Sequence, residues 1–399
     1  MIKCRARCKI GAKFPCVVST LEQTFYLDKL AELEDNFSVK IISGVRGSGK
    51  TTLLRQFAKK LLTQGVAGDE IIFVNCADNP RVKNFQQLYE FVSDMIAHLD
   101  RFFLLVDDID CVTDWEKTVN ALFVGAPAEI YVTGSTDNLA EKISALLPEN
   151  CDVLKLTPLS FAEYQKFFPH KKASTVLKDF LHAGSLPLVA DVNKTVLPQL
   201  LRGLGYEIVC DLVERHSLKG VKSFREVIKH LARNVGTVTN QSRLCEKIKV
   251  LDYVSLRKYL DIITNAGLFR RIPSLDNRTE KFYCVDNGLL RALSFGDVPE
   301  RTLVKNAVCI ELLRRGHDVR FAPFGEFNIN FVLTEGGDKI FFATVTSKAE
   351  VENFADVLPA LPSASKKVLI SLSRLKKFCR ADNILLQEFL SGTQKNFVT

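Results

Sequence analysis

The segment from Gly44 to Thr51, which reads Gly-Val-Arg-Gly-Ser-Gly-Lys-Thr, is the feature that most narrows the fold of this chain. It matches the pattern G-x-x-x-x-G-K-[ST], in which glycines let the backbone turn its N–H groups onto a phosphate. An apolar run before it (Val39–Ser43) predicts a strand, and the residues from Leu53 onward predict a helix. Because a helix N-terminus carries partial positive charge, a loop in this position attracts anions. The sequence therefore predicts a P-loop that binds ATP.

The polar groups of this loop have expected tasks. Lys50 is predicted to bridge the β- and γ-phosphates and to act in catalysis, and the Thr51 hydroxyl is predicted to bind Mg²⁺. Ser135 follows the predicted strand Ile130–Thr133 and is expected to sense the γ-phosphate, although Thr-Gly-Ser is also an ordinary turn sequence. The residues predicted to line the nucleotide are Gly44, Val45, Arg46, Gly47, Ser48, Gly49, Lys50, Thr51, Thr52 and Ser135.

A second apolar run, Phe102–Val106, ends in the carboxylates of Asp107 and Asp108. This ending is typical of a Walker B strand, whose first acid holds Mg²⁺ through water while the next acid polarises the attacking water. We therefore predict that Asp107 binds metal and that Asp108 is catalytic. A solvated strand end would have the same composition, but its position after a P-loop favours the Walker B interpretation.

Apolar runs and helix-length segments alternate through the first half of the chain. Strands are predicted at Val39–Ser43, Ile71–Asn75, Phe102–Val106, Ile130–Thr133 and Val153–Leu156. This order is typical of an α/β fold in which a parallel sheet is covered on both faces. A helical stretch (161–216), three short helices (223–266) with a turn at 236–239, and a β-hairpin (268–285) are predicted next. A helix, three strands, a helix and a strand are then expected between residues 302 and 371.

Composition excludes several classes of protein. The 399 residues are 47% apolar and 25% charged, which excludes disorder as the dominant state and favours at least two domains. The longest purely apolar run in the middle of the chain is Phe102–Val106, which is far shorter than the roughly 20 residues of a membrane span. Eleven scattered cysteines and the lack of a signal-like apolar segment near the N-terminus predict reduced thiols, a cytoplasmic location and no membrane partner. Cys4, Cys8 and Cys16 have no nearby fourth ligand for zinc, so a basic leader is the favoured interpretation of that segment.

The net charge of +8 is concentrated in one stretch of the chain. Residues 219–291 contain fifteen Lys/Arg and seven Asp/Glu, so this block carries the whole excess. Its helix-turn-helix spacing and hairpin predict a winged helix, which leaves two roles open: duplex DNA binding, or a lid or packing module with solvated lysines. For DNA binding the predicted contacts are Lys247, Lys249, Arg257, Lys258, Arg270 and Arg271, with Arg278 and Lys281 along the hairpin.

Several segments together resemble one known family. They are Val106 to Lys117, Ile130 to Leu139, Leu156 to Tyr164, Gly184 to Pro187, Asp211 to Arg215, Val254 to Leu268, Phe282 to Leu289 and Glu311 to Gly316. They are similar to prokaryotic AAA+-like P-loop ATPases that carry a winged-helix segment and a C-terminal restriction-endonuclease-like domain of unknown function. The resemblance covers about residues 25–350 of the sequence. It implies a Mg²⁺-dependent ATPase whose nucleotide state repositions the later domains, within a homo-oligomer or against a protein client.

The expected domain order follows from this resemblance. It comprises a basic leader (1–21), a P-loop AAA+-like ATPase domain (22–168), a helical linker or lid (169–222), a winged helix (223–292) and a small α/β restriction-endonuclease-like domain (293–399).

The chain departs from the family at two places in the ATPase part. The family usually has Asp-Glu-Ile-Gln where this chain has Asp107-Asp108-Ile109-Asp110, so the water-activating side chain is one methylene shorter. Slow hydrolysis is therefore expected, since in-line attack tolerates little misplacement. The alternative is a DNA-binding or scaffold protein in which ATP is a structural ligand without turnover. The family's Gly-Arg before Pro-Leu-Ser-Phe is Glu149-Asn150 here, which leaves Arg46 and Arg215 as candidate arginines at the γ-phosphate, Arg215 in a catalytic role.

A further departure lies near the C-terminus. The family's Glu-Ile-Asp-Phe-Val strand is Asn328-Ile-Asn-Phe-Val332 here, and the following strand reads Phe342-Ala-Thr-Val-Thr346. A metal-dependent nuclease needs carboxylates to hold its cations, and Glu326 is the acid nearest to these strands. We therefore expect a binding or assembly surface rather than a nuclease.

Overall fold

The computed structural model describes residues 24–135, 139–190, 192–193, 195–248, 252–324, 327–363, 365–375 and 381–392. The predicted basic leader, its three cysteines, Lys249 and Glu326 lie outside these residues. The chain divides into two compact units, Met1–Thr157 with Asn265–Gly267, and Pro158–Thr264 with Leu268–Thr399. Among the described helices, none has both the length and the apolar character that crossing a membrane would require.

The first unit is an α/β sandwich built on one parallel sheet. Its helices are α1 (Thr24–Glu32), α2 (Lys50–Thr63), α3 (Phe85–Ile96), α4 (Trp115–Gly125) and α5 (Leu139–Ser144). Its strands are β1 (Val39–Ser43), β2 (Ile71–Asn75), β3 (Phe102–Asp107), β4 (Ala128–Gly134) and β5 (Cys151–Lys155). They pair in parallel in the order β2-β3-β4-β1-β5. The predicted α/β class and its five strands are confirmed, and β4 lies between the P-loop strand β1 and the acidic strand β3.

Helices cover both faces of this sheet. Successive residues of a strand point to opposite faces and pack against different helices. Ile41 belongs to a core cluster with Val92 of α3 and Trp115 of α4. Its neighbour Ile42 belongs to a second cluster with Phe57 of α2. The central strands therefore carry mostly apolar residues on both faces, which is why a parallel sheet could be predicted from their sequence.

The second unit combines helices with two smaller sheets. Its helices are α6 (Phe161–Lys166), α7 (Ala173–Ala183), α8 (Pro187–Ala190), α9 (Leu197–Arg215), α10 (Val221–Arg233), α11 (Gln241–Lys247), α12 (Tyr253–Asn265), α13 (Asn287–Ser294), α14 (Glu300–Arg314), α15 (Lys348–Val357) and α16 (Leu386–Ser391). Strands β6 (Val238–Thr239), β7 (Phe269–Pro273) and β8 (Glu280–Cys284) form an antiparallel sheet in the order β6-β8-β7. Strands β9 (Arg320–Phe324), β10 (Phe327–Glu335), β11 (Asp338–Val345), β12 (Lys366–Ser371) and β13 (Asp382–Leu385) form a mixed sheet in the order β13-β12-β11-β10-β9.

Four elements of this unit are not predicted from the sequence. The predicted turn at 236–239 contains β6, whose Val238 and Thr239 pair with Lys281 and Glu280 of β8. Helix α13, strand β13 and helix α16 are also present in the structure but are not predicted from the sequence. Each has eight residues or fewer, too short for an apolar period to stand out.

A close approach of two loops joins α7 to α13 within the second unit. The buried Asp286 caps α13 by accepting the N–H of Leu289 (2.9 Å), and it also accepts the N–H of Ser185 (2.6 Å). Gly184 has φ of 84°, and a Cβ there would lie 2.4 Å from Asp286 Oδ1 and from the nitrogen of Gly288. Only glycine fits this position, and burial raises the pKa of Asp286.

Candidate functional site

The loop between β1 and α2 uses its glycines for their backbone freedom. Gly47 and Gly49 have φ of 85° and 95°, a region that residues with a Cβ avoid. A Cβ on Gly44 would lie 2.5 Å from the carbonyl oxygen of Leu156. The Oγ of Ser48 is buried and has no hydrogen-bond partner among the described residues. The loop backbone is therefore tightly packed, and the buried Ser48 hydroxyl lacks a hydrogen-bond partner in the described part of the chain.

Lys50 lies at the first position of α2 with its side chain buried. Its ammonium donates to the carbonyl oxygens of Gly44 (2.8 Å) and Val45 (3.3 Å) and to the Oγ of Ser135 (3.0 Å). The structure thus brings together Lys50 and Ser135, which are 85 positions apart in the sequence. Thr51 and Thr52 lie half-buried in the same helical turn, and Arg46 is exposed on the loop.

Asp107 ends β3 and is fully buried. The hydroxyl of Thr133 on β4 donates to Asp107 Oδ1 (2.6 Å) and accepts the backbone N–H of Asp108 (3.0 Å). Asp107 Oδ2 has no hydrogen-bond partner within the described part of the chain. Burying a carboxylate oxygen without a partner lowers the stability of the fold, unless a hydrogen-bond donor or a cation binds it.

Two further acids follow Asp107 in the tight turn after β3. Asp108 is half-buried with φ of 51°, and a 3-10 turn (Ile109–Cys111) begins directly after it. Asp110 reaches back to β4, where its Oδ2 accepts the N–H of Ser135 (2.8 Å). The sequence predicts no role for Asp110, because this contact depends on how the turn folds back and not on any spacing along the chain.

Magnesium is a cation that these residues fit. Mg²⁺ usually takes one or two carboxylates and completes its shell with phosphate oxygens and water. Asp107 Oδ2 offers an unsatisfied carboxylate oxygen, and Thr51 offers a hydroxyl at the start of α2. Within the described residues, no three His, Cys, Asp or Glu side chains cluster in a way that could hold a metal.

Arg215 ends α9 in the second unit. Its Nε is 2.7 Å from Asp211 Oδ1 on the preceding turn of the helix. The role of Arg215 at the γ-phosphate stays a prediction.

The residues predicted to contact DNA differ in their exposure and in their ion pairs. Lys247, Arg257 and Lys258 are exposed, and Arg270 is half-buried. Arg271 is exposed but ion-paired with Asp261 of α12 (3.1 Å) and Glu280 of β8 (3.2 Å). The pair with Asp261 links the hairpin to α12, the pair with Glu280 lies within the hairpin, and both offset the charge of Arg271.

The expectation for Lys281 is wrong, because its side chain is only 1% exposed. Its ammonium lies 4.1 Å from the centre of the Phe321 ring, and the structure gives it no ion-pair or hydrogen-bond partner among the described residues. Residues 281 and 283 point to the same face of the central strand β8, and the Tyr283 ring likewise packs on Phe331 (5.5 Å). The inward direction of this face could not be read from a basic sequence block.

Comparison with known proteins defines the class of this chain. Residues 36–165 match a family model described as an AAA domain, and residues 207–299 match a domain of unknown function (DUF8612). The fold is similar to that of a Walker-type ATPase of Pyrococcus abyssi, with 12% identity and a TM-score of 0.50 over 68% of this chain and 95% of that chain. The ORC1 protein of Aeropyrum pernix in complex with DNA gives 15% identity and a TM-score of 0.33 over 71% of this chain and 95% of that chain. The parallel sheet, the glycine-rich loop and the family match define residues 36–165 as a P-loop ATPase-like domain of the AAA type.

A relative that matches most of the chain is also known. An uncharacterized protein of Haemophilus influenzae is 31% identical over 372 residues, which span 87% of this chain and 92% of that protein. The chain belongs to the same family as this protein.

Proposed function

We propose that this chain is an ATPase that binds Mg²⁺-ATP in the loop Gly44–Thr51 and hydrolyses it slowly. The observation that carries the proposal is the junction at the end of β4. Ser135 accepts from Lys50 of the P-loop, and Thr133 donates to Asp107 of the acidic strand. The two elements that such an ATPase needs are thereby joined through one strand.

The residues of this site have distinct tasks in the proposed reaction. The Lys50 ammonium would exchange the carbonyl oxygens of Gly44 and Val45 for oxygens of the β- and γ-phosphates. Asp108 would polarise the attacking water, and Thr133 would hold both acids in register. Mg²⁺, held by Thr51 and Asp107, would neutralise charge that develops on the phosphates. An aspartate at position 108 reaches less far than a glutamate, which supports slow turnover.

Binding tests this proposal first. Titration with a fluorescent ATP analogue should give saturable binding that strengthens with Mg²⁺, because the loop and Asp107 then share the charge of the phosphates. Lys50→Ala should weaken binding about tenfold or more, since a charge-assisted contact to phosphate contributes about 1.5–3 kcal/mol. Lys59→Ala, which removes an exposed lysine farther along α2, is the matched control and should bind as the wild type does. Equal affinity of Lys50→Ala and the wild type would contradict the proposal.

For the second unit we propose a winged helix (223–292) and a restriction-endonuclease-like domain (293–399) without nuclease activity. The element order α10-β6-α11-α12-β7-β8 and its antiparallel sheet support the first. For the second, Asn330 stands where the family resemblance expects a catalytic acid, and its Oδ1 accepts the N–H and the hydroxyl of Thr344 (2.7 and 3.0 Å). Nucleotide state would reposition these domains, within a homo-oligomer or against a protein client.

Duplex DNA binding is the second candidate function, and ATP would then be a structural ligand. It is favoured by Arg257 and Lys258, which are exposed on α12 and have no ion-pair partner among the residues described. Helix α12 is the second helix of the helix-turn-helix, the element that enters the major groove in such domains.

A charge-matched pair of variants tests this candidate. Arg257→Ala/Lys258→Ala should weaken DNA binding and lower the slope of log affinity against log salt concentration by about 2, since two phosphate contacts are lost. Lys172→Ala/Lys178→Ala removes two exposed lysines of the same unit outside the basic block and should leave both quantities unchanged. Fluorescence anisotropy with a labelled duplex at several salt concentrations provides the measurement. An unchanged salt slope in the first variant would leave the winged helix as a lid or packing module.

A further inference from the structure

The turn after the acidic strand carries one carboxylate to which the proposed reaction assigns no task. Asp110 Oδ2 accepts the backbone N–H of Ser135 at 2.8 Å, and these residues are 25 positions apart in the sequence. The side chain of the same serine accepts from the Lys50 ammonium at 3.0 Å. A hydrogen bond to an ionised carboxylate is about twice as strong as a neutral one, so Asp110 holds the serine backbone firmly. A continuous hydrogen-bonded path therefore runs from Asp110 through Ser135 to the P-loop lysine.

Steric contact supports the same placement. A Cβ on Gly134 would lie 3.1 Å from Asp110 Cγ and 2.6 Å from Leu139 Cδ1. The Asp110 carboxylate thus packs directly on the backbone of Gly134, the residue before Ser135. Contact and hydrogen bond together fix the end of β4 in position and direction.

We infer that Asp110 is a positioning residue, which holds the Ser135 hydroxyl where it fixes the Lys50 ammonium for ATP turnover. This inference rests on the proposed ATPase and deepens it. When Lys50 leaves the carbonyl oxygens of its own loop for the phosphates, the hydroxyl of Ser135 is an acceptor that can stay with it. A displacement of about 1 Å in such a site costs about a hundredfold in rate, so losing Asp110 should slow turnover more than it weakens binding.

The alternative is that Asp110 only stabilises the 3-10 turn in which it lies. That role predicts a lower free energy of unfolding in Asp110→Ala with an unchanged kcat. The positioning role predicts instead that kcat falls about tenfold or more, while KM for ATP changes less than kcat does. Asp110→Asn keeps an oxygen that can accept the Ser135 N–H, so it should restore most of the lost kcat.

Phosphate release is the experiment, with the full chain and saturating Mg²⁺-ATP. The variants are Asp110→Ala, Asp110→Asn, Ser135→Ala and the double variant Asp110→Ala/Ser135→Ala, with Asp69→Ala as an exposed acid of the same unit that should keep normal turnover. Because Asp110 acts through Ser135, the double variant should be no slower than Ser135→Ala. Hydrogen exchange of the Ser135 amide in nucleotide-free protein should be faster in Asp110→Ala than in the wild type.

The outcomes separate this inference from the proposed function. Wild-type turnover no faster than that of Lys50→Ala would overturn the ATPase and with it the task of Asp110. Wild-type turnover above that background, with a normal kcat in Asp110→Ala or fully additive losses in the double variant, would overturn the inference alone. An unprotected Ser135 amide in the wild type would also overturn it.

Discussion

Replacing Lys281 with methionine is expected to stabilise the protein against unfolding at pH 7. The side chain of Lys281 projects from β8 and is buried against the ring of Phe321. Burial and the charge of Lys305 lower the pKa of Lys281 to about 7, and Cys309 acts in the opposite direction. The lowered pKa means that the folded state disfavours the charged lysine, and contact with the Phe321 ring returns part of that loss. Methionine has a similar unbranched chain without the charge, so we expect a gain of about 2–4 kcal/mol at pH 7.

The dependence on pH follows from the sign of this shift. In the unfolded chain the lysine has its ordinary pKa of 10.5, so the unfolded state binds more protons than the folded state between pH 7 and pH 10. This group therefore makes the wild type more stable as pH rises through that range. The advantage of Lys281→Met should shrink by pH 10, whereas Lys219→Met, at an exposed lysine, should be neutral at both values.

Urea denaturation at pH 7 and pH 10 measures both effects. A variant Lys281→Met that is less stable than the wild type at pH 7, with an unchanged pH dependence, would show that this lysine is satisfied in the folded state.

Gly184→Ala should cause the second large effect, a loss of about 2–4 kcal/mol in the free energy of unfolding. Its Cβ would lie 2.4 Å from Asp286 Oδ1 and from the nitrogen of Gly288, at a φ of 84°. To make room, the loop must move away from Asp286 and break the hydrogen bond from the Ser185 N–H.

Gly203→Ala is the matched control for this substitution. Gly203 lies inside α9, where an added Cβ meets no atom within 4 Å in the described part of the chain. Alanine is a better helix former by about 0.5–1 kcal/mol, so this variant should be slightly more stable than the wild type. Urea denaturation that gave both variants the stability of the wild type would mean that the two loops do not approach as closely as described.

Much of the first unit could be predicted because each signal is local. Five apolar runs predicted five strands, and the P-loop motif identified the loop between β1 and α2. The meeting of Lys50 with Ser135 was also foreseeable, since a strand between the P-loop strand and the acidic strand must end beside both.

The rest depends on packing, which leaves little mark on the sequence. Asp110 contacts Ser135 only because a 3-10 turn folds it back onto β4. Lys281 belongs to a basic block, yet its strand turns this side chain inward against Phe321. Helix α13 begins with Asn-Gly, a poor helical sequence, and is stabilised by the Asp286 cap, which contacts a segment about a hundred residues earlier.

We propose that the loop Gly44–Thr51 and the acidic strand together hydrolyse ATP. Phosphate release by the wild type, Lys50→Ala and Asp107→Asn, measured with Mg²⁺-ATP and with ATP plus a chelator, tests it most directly. The wild type is expected to release phosphate slowly and only with Mg²⁺, and release should fall at least a hundredfold in either variant. Equal, near-background release by all three proteins would contradict it and would leave ATP, if it binds, as a structural ligand.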